Sequence, residues 1–383
     1  MSGKAKREYL DEIKKRYFTS TKLEKGQILD EFCANCSYNR KYAIRIIHKK
    51  ESPKPKKRAG RPNVYYKESI IRFLKDLWIA TNLACSQRLK EAIPSWLPYY
   101  ERHHKNTLSL KDKEKLLRIS SRTIDRLLKR MKSKNKKLGL STTKPGSLLK
   151  KHIPIKVDQW DEFRPGFVEA DTVAHCGSSV AGQFVYTLDV VDIATGWTEQ
   201  RAVWGKGQQG VFAALKSIVE QLPFAILGFD SDNGSEFLNW NLLEYFTKRK
   251  NPVQYTRSRE YHKNDNAHIE EKNWTHVRQY LGYQRFENIK IVSLMNDLFL
   301  NEWRFFLNYF IPSFKLIKKE RVGSKIIKKF DAPKTPYQRL LESTYIKPKV
   351  KKQLTNTFVT LDPFHLQKII KDRIIEILYL ASE

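Results

Sequence analysis

Acidic residues are scarce in this chain of 383 residues: 41 Asp and Glu stand against 72 Lys and Arg, for a formal net charge of +31. Between Asp125 and Asp158 there is no acid at all. A field of that sign favours a polyanionic partner, either nucleic acid or an anionic membrane. Long apolar runs are also missing. No stretch reaches the roughly 18 residues that a spanning helix needs, so the membrane is the poorer choice. Met1 to Arg7 is polar and no apolar segment follows, so no signal peptide is expected. Cysteine is sparse: Cys33, Cys36, Cys85 and Cys176 do not make a secreted disulfide framework in a chain this long, and a reducing cytosol is expected. Cys33-Ala34-Asn35-Cys36 has zinc-knuckle spacing. A structural zinc site needs two further ligands and the nearest His is the lone His48, so small residues in a helical core are the reading taken here. Charge alone would fit an RNA-binding role equally well.

What is present falls into blocks. Residues 1–50 read as basic helices, one over Leu23 to Cys33 and a second capped by Ser37 and running through His48, in the outline of a helix-turn-helix reader. An ordinary helical hairpin with a solvated basic face is the alternative. Residues 51–65 form a basic linker whose Gly60-Arg61-Pro62 resembles the core of an AT-hook. Residues 66–132 repeat the helical theme: Tyr66 to Ala80, a shorter helix from Ser86 to Ile93, then Lys111 to Ile119 and Ser120 to Lys132. In the last of these, Arg122 and Arg126 face away from the apolar stripe. Two tandem helical readers favour DNA over RNA, because the major groove of B-DNA admits a helix. Residues 133–160 form a second basic linker, suited to tracking phosphates.

From 161 to 290 the character changes to alternating strands and helices. Strands are predicted at Val168 to Ala174, Gln183 to Val191, Thr198 to Val203, Phe224 to Phe229 and Pro252 to Tyr255. Helices are predicted at Gln208 to Leu222, Ser235 to Lys248 and Asn264 to Leu281. Three strands, helix, strand, helix, strand, helix is the element order of the RNase H-like fold. The expected fold class is thus an α/β core of that type, a five-stranded mixed sheet with flanking helices. All-α helix-turn-helix domains precede it. A helical basic tail over 291–383 follows it, with Lys315 to Lys329 as a connector and a terminal amphipathic helix offering an oligomer contact.

Phosphodiester chemistry needs an activated oxygen nucleophile and relief of charge on the phosphate, and two Mg²⁺ ions roughly 3.5–4 Å apart meet both needs. Mg²⁺ takes hard oxygen ligands and keeps several waters, so a few converging carboxylates suffice. The candidates are Asp171 at the end of the first strand, Asp232 in the turn after the fourth, and Glu270 on the last helix. Asp230 shares a strand side with Asp232, and Glu169 shares one with Asp171. Glu270 shares a helix face with Trp274, Val277 and Leu281, which is expected to pack on the sheet. Glu271 shares its side with Arg278 and is expected in solvent.

Three strings carry a resemblance: Val168-Glu169-Ala170-Asp171-Thr172, Asp230-Ser231-Asp232-Asn233-Gly234-Ser235-Glu236-Phe237, and Tyr261-His262-Lys263-Asn264-Asp265-Asn266-Ala267-His268-Ile269-Glu270-Glu271. They resemble the acid motifs of DDE transposases of bacterial insertion sequences, specifically those with a retroviral-integrase-type core. The resemblance covers about 163–290, and the His/Cys zinc domain of retroviral integrases has no counterpart here. It implies a polynucleotidyl transferase using two Mg²⁺ ions, with Mn²⁺ as a substitute, held by Asp171, Asp232 and Glu270. Water would cleave transposon ends to free a 3′-OH, which would then attack target DNA in line. Asp230, Asn233 and Asn266 would stand behind or beside the ligands. Arg40, Arg61, Arg122, Arg126, Arg257, Arg259, Lys263 and Lys272 are the candidate DNA contacts, with solvated surface charge as the alternative for each. The partners implied are double-stranded DNA, as transposon ends and target, and a homodimer or larger oligomer on that DNA, in a bacterial cytoplasm at the nucleoid. A nuclease of the same fold without strand transfer, and a non-catalytic helix-turn-helix regulator derived from a transposase, are the alternatives.

Overall fold

A computed structural model describes residues 1–49, 64–104, 108–132, 162–232, 234–257, 267–322 and 325–382. The linker with Gly60-Arg61-Pro62 and the basic linker over 133–160 lie outside the described residues. The chain divides into two compact units, Met1–Asn63 and Val64–Glu383.

The first unit holds α1 (Gly3–Thr19), α2 (Lys22–Cys36) and α3 (Arg40–Ile47) around a core of Ile13, Ile28, Leu29, Phe32, Cys36, Ala43 and Ile47. Thr21 and Glu24 form a capping box that starts α2, with the Thr21 N–H donating to Glu24 Oε2 at 2.7 Å. Ser37 does not cap the next helix as expected. It closes α2 in the left-handed conformation (φ 54°), and Asn39 starts α3 by accepting from the Lys41 N–H.

The second unit begins with α4 (Glu68–Ala80), α5 (Ser86–His103), α6 (Leu110–Leu117) and α7 (Ser121–Lys132). Helix α5 was expected to stop at Ile93, before Pro94. It runs through Pro94 and Pro98 because Trp96, Leu97, Tyr99 and Tyr100 are buried beyond them. That burial, on the order of 1.5–3 kcal/mol per large side chain, outweighs roughly 3 kcal/mol per interior proline.

The sheet is built from β1 (Phe167–Ala174), β2 (Val185–Asp192), β3 (Thr198–Trp204), β4 (Gly228–Ser231) and β5 (Gln254–Arg257), in the order β3-β2-β1-β4-β5. The first three strands pair antiparallel, while β4 and β5 run parallel to β1. This five-stranded mixed sheet with flanking helices is the RNase H-like fold. Strand β4 starts four residues later than expected, since the Leu227 and Gly228 N–H groups donate to the Gly166 carbonyl ahead of the ladder. Helices α8 (Gln208–Gln221) and α9 (Trp240–Thr247) cover one face, where Val211, Leu215, Ile218, Leu242 and Phe246 meet Val168, Ala170, Leu188 and Phe229. By the period of two, Glu169, Asp171 and Val173 belong to the opposite face. There lie α10 (Ala267–Lys272), a π-helical turn (Asn273–Arg278) and α11 (Gln279–Leu281).

The chain continues through α12 (Lys290–Leu298), a second π turn (Phe299–Trp303), α13 (Arg304–Phe310), β6 (Leu316–Val322), β7 (Lys325–Phe330), α14 (Pro336–Glu342), α15 (Pro348–Thr360) and α16 (Pro363–Leu380). The expected basic connector is thus an antiparallel two-stranded ribbon, β6–β7. The apolar face of α16, expected as an oligomer contact, is covered within the chain: Ile370, Ile374 and Ile377 belong to the core that also holds Trp96, Phe306 and Phe310. The Trp96 indole N–H donates to the Phe310 carbonyl at 3.1 Å.

Two asparagines hold the outer edge of β3. Asn296 on α12 accepts from the Ala202 N–H and donates to its carbonyl (2.8 and 2.9 Å), and Asn308 on α13 does the same to Thr198 (2.9 and 2.8 Å). Each side-chain amide stands in for a neighbouring strand, so the edge is satisfied without offering a pairing surface. Asn308→Ala leaves both Thr198 backbone groups buried without partners. It is expected to destabilise the unit by roughly 1–3 kcal/mol, read from the denaturant midpoint.

Candidate active site

Strand register brings the first two acids together. Ala170 on β1 lies beside Ser231, the last residue of β4, so Asp171, midway along β1, and Asp232, just past β4, are the next residues along two adjacent parallel chain segments. Asp171 is partly exposed; its Oδ1 accepts from the Thr172 N–H and its Oδ2 from Asn273 Nδ2, both at 2.7 Å. Asp232 Oδ1 accepts from the Gly234 N–H at 2.9 Å. Gly234 is required here by close approach: a Cβ would meet Glu236 Oε2 at 2.6 Å and Asp232 Oδ1 at 2.8 Å.

The neighbouring acids of each strand are engaged elsewhere. Glu169 is buried and its Oε2 accepts from the Ile269 N–H at 3.0 Å, anchoring the first turn of α10 to β1. Asp230 is buried and accepts from Thr256 Oγ1 at 2.5 Å on β5. The two pairs that strand alternation leaves equivalent are therefore distinguished by their partners.

Glu270 stands exposed in the first turn of α10, between buried Ile269 and exposed Glu271. Its expected face needs correction. Val277 and Leu281 are buried but Trp274 is 43% exposed. The π-helical turn interrupts the 100° phase, so Val277 and Leu281 do not report the direction of Glu270. Asn273 does: one turn after Glu270, it donates to Asp171. Among the described residues no three His, Cys, Asp or Glu side chains converge closely enough to hold a metal ion. Asp171 and Asp232 are adjacent, and Glu270 is one turn from an Asp171 ligand without closing on the pair.

Burial pushes the Asp171 carboxyl up to about 7, with the Asp232 charge adding to the shift. Burial also raises Asp232, opposed by the Gly234 N–H and reinforced by Glu236. Lys206 opposes the rise at both but does not cancel it, and two neighbouring hard-oxygen donors of this kind are a donor set that suits a divalent ion. In the metal-free protein, the folded-state value near 7 stands above the roughly 3.9 of an unfolded aspartate. The folded state then binds the proton more tightly, and its stability falls as pH rises from about 4 to 7. Metal-free protein is expected to melt at a lower temperature at pH 7.5 than at pH 5, and Asp171→Asn to flatten that difference in scanning calorimetry.

Three residues at the site carry no assignment from sequence reasoning. Glu236 is 2% exposed, accepts from Thr172 Oγ1 at 3.1 Å and pairs with Lys206 Nζ at 2.8 Å. Through Thr172 it ties β1, next to Asp171, to the turn that follows Asp232. Asp189 sits opposite Asp171 in the β1–β2 register, accepting from Thr198 and Gln200 while its Oδ2 is buried without a partner. Glu236 was visible within the Asp-Asn-Gly-Ser-Glu-Phe string; nothing local in the sequence marks Lys206 or Asp189.

The expected DNA contacts divide. Arg122 and Arg126 are exposed on α7, the Arg126 guanidinium lying over the Tyr66 ring, and Arg40 pairs with Asp30. Arg257 and Lys272 are 8% and 5% exposed. Lys272 lies inside rather than at the surface, because it is on the helix face against the sheet, and burial lowers its ammonium to about 8. Neither is presented to a phosphate. Arg61, Asn233, Arg259, Lys263 and Asn266 lie outside the described residues.

No family model matches the chain. Among solved structures it is similar to catalytic cores of retroviral integrases. The HTLV-2 core in complex with magnesium, in dimeric form, is 16% identical, with 39% of this chain and 91% of that one covered at a TM-score of 0.29. The BIV core is 17% identical over 46% and 95%, with a TM-score of 0.28. The simian T-cell lymphotropic virus intasome in complex with a PP2A regulatory subunit is 12% identical over 63% and 73%, with a TM-score of 0.32. The fold rests on strand order and register, not on these scores. The uncharacterized protein y4rM of Sinorhizobium fredii is 37% identical over 338 residues, 87% of this chain and 94% of that protein. This chain belongs to the same protein family as y4rM.

Proposed function

We propose that this chain is a DNA transposase of the bacterial insertion-sequence type, which cleaves transposon ends and joins the freed 3′-OH to target DNA. The observation that supports it most is the placing of Asp171, midway along β1, beside Asp232, just past the end of β4, on the sheet face where α10 carries Glu270. Asp171 and Asp232 would hold Mg²⁺, with Mn²⁺ as a substitute, and Glu270 would complete the set. Bound metal would supply Lewis acidity at the phosphate and lower the pKa of the attacking oxygen. Glu169 and Asn273 hold α10, which carries Glu270, and its π turn against β1 on the sheet face of Asp171. Glu236 and Lys206 fix the turn that carries Asp232.

The net charge of +31 supports a polyanionic substrate. Residues 1–50 and 66–132 are proposed as DNA-binding domains, with Arg40, Arg122 and Arg126 as contacts, and 161–290 as the catalytic domain. A dimer or larger assembly on DNA follows from joining two ends, and a cytoplasmic, nucleoid-associated location from the substrate. The test supplies pre-cleaved transposon-end duplexes, a plasmid target and Mg²⁺. Joined products are expected. Cutting without joining would leave a nuclease of the same fold, and binding without either reaction would leave a regulator.

A further inference from the structure

We propose that the β6–β7 ribbon is a contact surface for duplex DNA, its lysines meeting the phosphates. The proposal rests on the reading of the chain as a DNA-processing enzyme and assigns part of its DNA contact to a place that reading leaves open.

The segment from Lys315 to Phe330 carries seven Lys and Arg against one acid, Glu320. Register sets Lys318 directly opposite Lys329, and Lys319 opposite Lys328. Like charges in directly opposed positions destabilise an antiparallel pair. Glu320 pairs with Lys318 at 2.9 Å, both side chains more than half exposed, and among the described residues Lys328 and Lys329 make no ion pair. A polyanion laid along the ribbon relieves that repulsion.

The base of the ribbon is firmly rooted. Lys315 donates through its backbone N–H to Asp331 and through its Nζ to the carbonyls of Glu162 and Ala194, and Asp331 pairs with Arg339 at 2.9 Å. Beyond buried Leu316 the described side chains of the ribbon are exposed, Ile317 and Ile327 by more than half. A two-stranded ribbon is of a size that the major groove of B-DNA admits, whereas the A-form groove of RNA is too narrow, which selects DNA. Lysines on unpaired strands also discourage edge-to-edge association. That role alone leaves DNA affinity unchanged when the lysines are replaced, so the two can be separated.

The full chain carrying Lys318→Gln, Lys328→Gln and Lys329→Gln is titrated with random-sequence duplex DNA over a range of salt concentrations. The slope of log affinity against log salt is expected to fall in magnitude by about 2–3, near 0.9 for each lost phosphate contact. The arginine triple at the same positions is expected to keep the wild-type slope, which also guards against loss through a disordered ribbon. A charge-matched control, Lys349→Gln, Lys352→Gln and Lys371→Gln on the exposed sides of α15 and α16, is expected to change it little. Equal slopes for wild type and the ribbon variant, or an equal loss in the control, overturn the ribbon assignment alone. A slope loss as large with duplex RNA overturns the choice of DNA. Failure of the wild type to bind duplex DNA at all overturns both this proposal and the function on which it rests.

Discussion

Asp232→Asn is expected to abolish metal-dependent DNA cutting and joining while the chain remains folded. The substitution keeps shape and the acceptor for the Gly234 N–H but removes one of the two charges that would face a metal ion in the proposed site. Losing several kcal/mol of charge stabilisation at about 1.4 kcal/mol per tenfold corresponds to a rate loss on the order of 10³ or more. Stability is expected to hold or rise, because the amide relieves the repulsion from Asp171. Glu270→Gln is expected to lose activity comparably, and Glu271→Gln, exposed on the next position of the helix, to cut as wild type does. Plasmid nicking and calorimetry on the same preparations check both halves. Retained cutting in Asp232→Asn or in Glu270→Gln would sink the site assignment.

The largest expected effect on stability comes from a pair far from the acids in sequence. Glu199 on β3 is fully buried, and Arg304 on α13 grips it at 2.7 Å while also donating to the Gln221 carbonyl at the end of α8. Arg304→Ala leaves Glu199 charged and enclosed, with Arg201 a poor substitute at 3.7 Å. Removing one member of a buried pair typically costs about 3–5 kcal/mol, because the other charge is stranded. Arg304→Ala is expected to lower the urea midpoint by that equivalent. The double variant Glu199→Met/Arg304→Met should recover most of the loss, since a well-packed apolar replacement removes both desolvation terms. A double variant no better than the single would show that Arg304 acts mainly through Gln221.

The strands around the acids were legible because alternation and turn residues are local signals. β1, β2 and β3 lie within two residues of their expected limits, and Gly196 takes the positive φ its turn requires. Non-local packing decided what could not be read. The helix from Ser86 read as ending at Ile93, and only the aromatic core around Trp96 reveals why α5 continues through Pro94 and Pro98. The ribbon β6–β7 read as a connector because lysines, with weak strand preference, make up five of its thirteen residues. The apolar face of α16 read as an oligomer contact because nothing local says that the chain will cover it itself.

At the site the division has the same cause. By itself the sequence determined which acids were candidates, that they belong to strands or the turns after them and to a helix start, and that the net charge favours a polyanionic partner. These follow from residue type, period and net charge, which folding does not alter. The sequence prefers Asp171 to Glu169 by motif resemblance and Asp232 to Asp230 by the turn after it; what the tertiary structure adds is where the two other acids are engaged. Alternate residues on a strand point the same way, and their partners, the Ile269 N–H for Glu169 and Thr256 for Asp230, set them apart. The same holds for Glu270, whose relation to Asp171 is carried by Asn273 across elements about a hundred residues apart in the chain.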